Sequence, residues 1–506
     1  MKKLFIAIFY CSTFFSAQAQ IAIGEGTPDA SAVFQLNSTT KGFVPPRMTT
    51  TQRQAIVSPT DGLMVFDTST DSFWFYNANK WNQLANQASS IYKQPTDRTD
   101  QNGGANDRLG SVVTLGGSRG TFGLVGAPND NAGRGNAFRM ILEANNLWSL
   151  TSIVPNVVVA GDGFGNAVAI DRINDGLTFI VGSSLDDSTN VNSGSAYLYE
   201  QFSFIGKIVG GDAAGRATNA FFGRSVDVSG SYAVVGASGA NSGRGAIYIY
   251  KFNPNTLKWA LEANLTDPNG DAGDSLGVAV SLYYDTDVDE AWVFAGAPYD
   301  NEIGKTNVGS VLVYRKALGS TTWRNVAKII PTDGVDNENF GYAITNCFEC
   351  QKVMVGSPGN SGGGGRSLDL SLSSVVGNTA NFTVTPIPNS RNNFGLSSTL
   401  GMGFSVSAMK GTNCNNIYLL LGGGPLGTIG TNSTNNFGLA RLLKFNGTSW
   451  ITEINAITDP DPKQGYGYGS AVTINTKSNT MIIGAPKQKV DGNVNQGKIQ
   501  FVRFEN

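Results

Sequence analysis

The chain has no histidine anywhere in its 506 residues. That absence removes imidazole acid–base chemistry, serine–histidine triads and histidine-ligated zinc together. Charge is sparse as well: Asp, Glu, Lys and Arg make up 15% of the chain, and 36 basic against 38 acidic side chains leave a net charge of −2. So balanced a chain offers no phosphate-neutralising surface for nucleic acid and no polybasic patch for a membrane. Long apolar runs are missing too. Beyond the N-terminal leader, no stretch approaches the ~18 apolar residues that span a bilayer, so no transmembrane segment is expected.

Cysteine is scarce, with Cys11, Cys347, Cys350 and Cys414 the whole complement. Cys11 falls inside residues 1–19, where Met1-Lys2-Lys3, an apolar run from Leu4 through Phe15, and Ala17-Gln18-Ala19 read as a signal peptide. Tyr10 is too bulky for a lipoprotein processing site before Cys11, so cleavage is expected after Ala19, without a lipid anchor. The expected fate is export, secreted or at the cell surface, with the periplasm also open; no C-terminal sorting segment is evident. Cys347, Cys350 and Cys414 remain, an odd number that leaves at least one outside any pair within the chain. Cys347-Phe348-Glu349-Cys350 has redox or metal spacing but lacks a second pair, so these three are candidates for a structural disulfide or for inert thiols.

What is abundant is glycine, 63 residues, alongside 10% aromatics. That composition predicts many short strands and tight turns in place of long helices. One unit recurs seven times from about residue 109. It opens on a large residue followed by glycine: Leu109-Gly110, Phe164-Gly165, Phe222-Gly223, Leu276-Gly277, Phe340-Gly341, Met402-Gly403 and Tyr468-Gly469. A second apolar run follows, ending in glycine and small residues or proline, as in Gly126-Ala127-Pro128, Gly236-Ala237-Ser238 and Gly423-Gly424-Pro425. A third run starts at glycine and alternates apolar with polar, as in Gly245–Tyr250. Trp148, Trp259, Trp323 and Trp450 mark a fourth. Four strands per unit describe a propeller blade, and seven blades close a ring.

These residues resemble the FG-GAP repeats of the integrin α-subunit propeller and its bacterial relatives, over residues 110 to 506. The expected fold is therefore all-β: a seven-bladed β-propeller of four-stranded blades over 85–506, preceded by a small β-rich module at 20–84. The seventh unit runs out of chain before its fourth strand. Thr-Asp follows outer strands at Thr266-Asp267, Thr332-Asp333 and Thr458-Asp459, and Thr96-Asp97 repeats the pair ahead of the first unit, so Ser89 to Pro95 is expected to complete blade seven. In the leading module, Gly62 to Tyr76 reads as a hairpin with Trp81 behind it, and the module as a whole resembles one that recurs at the N-terminus of exported bacterial surface and fibre-like proteins.

The resemblance implies calcium in loops between first and second strands, where clustered oxygens suit a hard cation. Asp285, Asp287 and Asp289 in blade four form the best candidate, although Glu290 stands where the turn glycine belongs; Asp171 and Asp175 in blade two form a weaker one. Such an ion would be structural. Asp107, Asp162, Asp274 and Asp336 recur ahead of their units, which points to turn capping more than to catalysis. Gly359 to Asn393 and Gly427 to Asn436 break the repeat as long insertions, where scaffolded proteins concentrate binding loops. The resulting expectation is a non-catalytic binding or adhesion propeller whose partner is a protein or glycan. Its rivals are a structural part of a surface assembly and a propeller hydrolase or lyase acting on polysaccharide.

Overall fold

The computed structural model describes residues 21–24, 34–38, 40, 42–70, 72–77, 79–84, 93–117, 120–143, 147–171, 178–359, 366–387, 400–425, 438–459 and 467–504. The expected signal peptide, Asp175 and the 427–436 insertion lie outside the described residues. The chain divides into two compact units, Met1–Asn86 and Gln87–Asn506.

In the first unit, Ile21–Gly24 pairs in parallel with Phe34–Asn37. A separate sheet orders Arg47–Met48, Met64–Asp67, Ser72–Asn77 and Lys80–Leu84. The expected hairpin is its centre, and Trp81 lies on the added strand, edge-to-face with Tyr76 at 5.4 Å. A short helix, Thr50–Gln54, is held by a capping box between Thr49 and Gln52. It delivers Arg53 into the interior, where its Nε donates to Asp67 Oδ2 at 2.8 Å and its guanidinium lies 3.8 Å from the Trp74 ring.

The second unit holds seven four-stranded antiparallel sheets among the described residues. The first blade shows the scheme: Val112–Gly116 innermost, then Phe122–Ala127, Asn136–Leu142 and Trp148–Ser152. The seventh takes Ala471–Asn475, Thr480–Ala485 and Lys498–Arg503 from the C-terminal end and Lys93–Arg98 from the N-terminal end. Thr96 and Asp97 lie within that strand, opposite Phe501 and Gln500, whereas the sequence places them after it. The innermost strands touch in cyclic order, the seventh returning to the first.

The repeated glycines explain how blades stack. Within blade one, the Gly110 N–H donates to the Gly126 carbonyl. Between blades, the space a side chain on Gly126 would fill is occupied by the Gly165 carbonyl oxygen, 2.0 Å from the ideal Cβ position. The same encounter pairs Gly182 with Gly223, Gly236 with Gly277, Gly296 with Gly341, Gly356 with Gly403, Gly422 with Gly469 and, closing the ring, Gly484 with Gly110. The second glycine of each unit is thus bare because the next blade's first glycine sits against it. Blade six corrects the sequence alignment by one position, since Gly422, not Gly423, makes this contact.

Polar groups tie the innermost strands together. The N–H groups of Leu115, Leu282, Ala408 and Ile474 donate to Thr473 Oγ1, Asp227 Oδ2, Thr345 Oγ1 and Ser407 Oγ of the preceding blades. A second correction concerns 359–393: Arg366–Val376 and Thr379–Pro386 are the third and fourth strands of blade five. Leu368, Leu370 and Leu372 do alternate with polar residues there, but Asp369 and the serines Ser367, Ser371, Ser373 and Ser374 make a strand look like an insertion.

Candidate functional site

One face of the propeller is built from the loops that leave second strands and the turns that precede first strands. In blades one, two, four and five the turn is capped by an acid two residues before the large residue of the unit. Asp162 Oδ2 accepts the Val159 N–H at 2.8 Å, Asp274 Oδ2 accepts the Asp271 N–H at 2.5 Å, and Asp107 accepts the Gly104 N–H. In blade five this place belongs to Glu338, which accepts the Val335 N–H at 3.1 Å. Asp336 instead accepts the Thr306 N–H, so the sequence register was two residues off there. Burial, opposed by these backbone hydrogen bonds, pushes the Asp107, Asp162 and Asp274 carboxyls above the usual carboxylate range.

In blades one, two and four a second acid stands four residues past the second-strand glycine. Asp130 accepts from Asn136 Nδ2 at 2.8 Å. Asp186 accepts from Ser195 Oγ at 2.8 Å and Tyr197 OH at 3.1 Å and pairs with Lys207 at 2.6 Å. Burial works against its charge, yet the Lys207 ammonium together with hydrogen bonds from Ser188 and Ser195 outweighs it and holds the carboxyl below the usual range. Asp300 shares Lys328 with Asp267 and Glu302, at 2.8, 2.9 and 2.5 Å. Those carboxylates overcome desolvation and hold the lysine above its ordinary range. Asp267 follows the outer strand of blade three, so its Thr-Asp signal marks an ion pair to the next blade; Asp459 does the same with Lys498 at 2.9 Å.

Blade three carries Ala220 and Ala240 at the two acid positions, and Ser238, like Ser184 of blade two, stands where blades one, four, five and seven carry Pro128, Pro298, Pro358 and Pro486. A cavity of about 420 Å³ opens there, lined by Thr218, Asn219, Phe221, Ser238, Ser242 and Ser275, with Gly239 and Gly243 completing its wall. No charged residue lines it.

The calcium candidates are placed elsewhere, on hairpin tips. Asp285 Oδ1 accepts the Asp287 N–H at 3.0 Å, and Asp289, in the left-handed region at φ 47°, accepts from Tyr284 OH at 2.9 Å. Asp171 is fully buried and accepts the Gly230 N–H at 3.2 Å. Among the described residues no three acidic or cysteine side chains converge as a metal site. Asp285 instead borders a second cleft, about 280 Å³, with Tyr283, Trp292, Phe348, Glu290 and Glu349. Arg315 neutralises Glu290 through two hydrogen bonds and Lys410 neutralises Glu349, so the acids there are largely spoken for.

Beside that cleft, Cys350 and Cys414 form a disulfide spanning 64 residues, with Cys347 buried in the neighbouring core. It joins the inner hairpins of blades five and six. Replacing both with serine is expected to cost up to roughly 4 kcal/mol by the chain-entropy estimate and to lower the melting temperature by a few degrees. Thiol reductant should bring the wild-type chain to the same point, and identical melting of wild type with and without reductant would contradict a stabilising bridge.

Comparison with known families adds two matches. Residues 148–199 and 202–250 match the FG-GAP repeat, covering the end of blade one through blade three. Residues 22–100 match the phage tail like trimerisation region, a span that takes in the first unit and the closing strand Lys93–Arg98. No curated protein matches the chain. No helix among the described residues is long and apolar enough to cross a membrane. Seven four-stranded sheets, glycine contacts repeated around the ring and the family match on blades two and three together identify the chain as an FG-GAP repeat protein of the β-propeller type.

Proposed function

We propose that the protein is an exported, non-catalytic adhesion propeller that recognises a protein or glycan through its face loops, with an N-terminal unit that gathers three copies. The observation that carries this reading is the pairing of a rigid propeller with a segment similar to a phage tail like trimerisation region. Three weak binding faces on one stalk raise apparent affinity for a surface by about 10²–10⁴ without any new contact. The non-catalytic part draws on the raised carboxyls. Asp107, Asp162 and Asp274 perform one capping task in register, and a group repeated around a ring for the same backbone N–H is a turn device. The trimerisation similarity also favours the second reading, a structural component of a surface assembly.

The test is binding of the full chain to arrays of glycans and extracellular-matrix proteins, in calcium and in chelator, alongside its mass in solution. A trimer that binds a defined partner supports the adhesion reading. Binding abolished by chelator would restore calcium to the site, and chelator-resistant binding would remove it. A trimer that binds nothing hands the protein to the structural reading.

A further inference from the structure

We infer that the two-stranded sheet of the first unit, Ile21–Gly24 with Phe34–Asn37, is the surface through which three copies of the chain meet, its apolar face covered by the same strand pair of two further copies. The inference rests on the trimer in the proposed function and names the residues that make its contact. In the parallel register Ile23 stands opposite Leu36, and two residues earlier Ile21 opposite Phe34; between and after them Ala22 meets Gln35 and Gly24 meets Asn37. Side chains alternate between the two faces of a strand, so Ile23 and Leu36 share one face and Gln35 belongs to the other. Burial runs the wrong way for a single copy. Ile23 is 59% and Leu36 43% exposed, whereas Gln35 is half-buried.

A parallel pair left in this state is incomplete. Parallel sheets occur with both faces covered, and a two-stranded sheet by itself is marginal in water. This sheet has two strands and no third, so each strand also keeps an open edge. What covers it is indicated by the similarity to the phage tail like trimerisation region, which begins at residue 22, inside the first of the two strands. Phe43 and Val44, 67% and 73% exposed, leave further apolar surface uncovered in the same small unit. Three such faces turned toward one axis bury one another and close, leaving none for a fourth copy. A carboxylate placed at position 23 or 36 would then be buried three times over in each assembly, beside two others of the same sign.

The experiment is light scattering on the full chain over a dilution series, with Ile23→Asp, Leu36→Asp and, as control, Leu318→Asp at a propeller leucine that is 69% exposed. Wild type is expected to have the mass of three chains. Ile23→Asp and Leu36→Asp should each raise the concentration of half-assembly by about 100-fold or more, with the propeller's melting transition kept, while Leu318→Asp should assemble like wild type. A photo-cross-linker, p-benzoylphenylalanine in place of Ile23, tests the contact without adding a charge. Irradiation should give bands of two and three chains on a denaturing gel, with position 23 joined to 21–24 or 34–37 of another copy. If wild type is a trimer but both aspartate variants keep it, or the cross-link between chains maps elsewhere, this strand pair is not the contact and the trimer stands without it. Loss of the trimer in Leu318→Asp as well would place the contact on the propeller and overturn the assignment. If wild type has the mass of one chain at about 100 μM, the trimer itself falls and this surface with it.

Discussion

A chain lacking residues 87–100 is expected to lose roughly 5–10 °C of thermal stability and to self-associate as its concentration rises. The strand Lys93–Arg98 covers the third strand of blade seven, pairing Arg98 with Ile499, Asp97 with Gln500 and Thr96 with Phe501. Its loss removes several ladder hydrogen bonds at about 1 kcal/mol each. It also strips Asp97 from Lys498 and Gln500, and it removes the hydrogen bond that Arg98 Nε donates to the Trp148 carbonyl, a link from blade seven to blade one. What remains is an exposed edge at Lys498–Arg503, a ready template for another chain. A synthetic peptide spanning 93–100 should recover part of the loss. Calorimetry with light scattering decides the matter: melting unchanged from wild type would mean that ring closure does not depend on this strand.

The repeat was readable because its physical cause is local and recurs. Each bare glycine exists to admit a carbonyl of the next blade, so the spacing of Gly126 and Gly165, or of Gly484 and Gly110, is written seven times. Where a copy deviates, reading by analogy slips. Blade six supplies three consecutive glycines, and only the contact to Gly469 shows that Gly422 is the one that counts. In blade five, serine between the leucines of Arg366–Val376 disguises a strand, because hydroxyls are tolerated on a half-buried face. Glu338 escaped notice because its longer side chain reaches the same N–H that aspartate caps elsewhere, while Asp336 nearby offered a more familiar residue. The disulfide could not be assigned from order alone: Cys350 meets Cys414 across two blades while Cys347, three residues away, turns into the core.

Arg53→Ala is expected to unfold the N-terminal unit while leaving the propeller's own transition in place. Asp67 is fully buried, and Arg53, itself 4% exposed at the side chain, is the cation paired with it at 2.8 Å. Removing one partner of a buried pair leaves an uncompensated charge and costs about 3–5 kcal/mol. A unit of this size has a total stability of the same order, roughly 0.05–0.15 kcal/mol per residue. The guanidinium also lies over the Trp74 ring at 3.8 Å and 5.4 Å from the Trp81 ring, so its loss opens a gap between aromatics as well. Thr50 Oγ1 and the Ser69 N–H still reach Asp67, but neither carries the positive charge that makes an ionised carboxylate tolerable there. Arg53→Lys should recover only part of the stability, because a lysine ammonium is a point charge without the planar face that stacks on tryptophan. If the first unit is what gathers three chains, Arg53→Ala should also reduce the solution mass to that of one chain. Light scattering and calorimetry on one preparation separate the possibilities. Lost trimer with an intact propeller transition ties assembly to the first unit, whereas an Arg53→Ala chain that melts and assembles like wild type would show that the buried pair is dispensable.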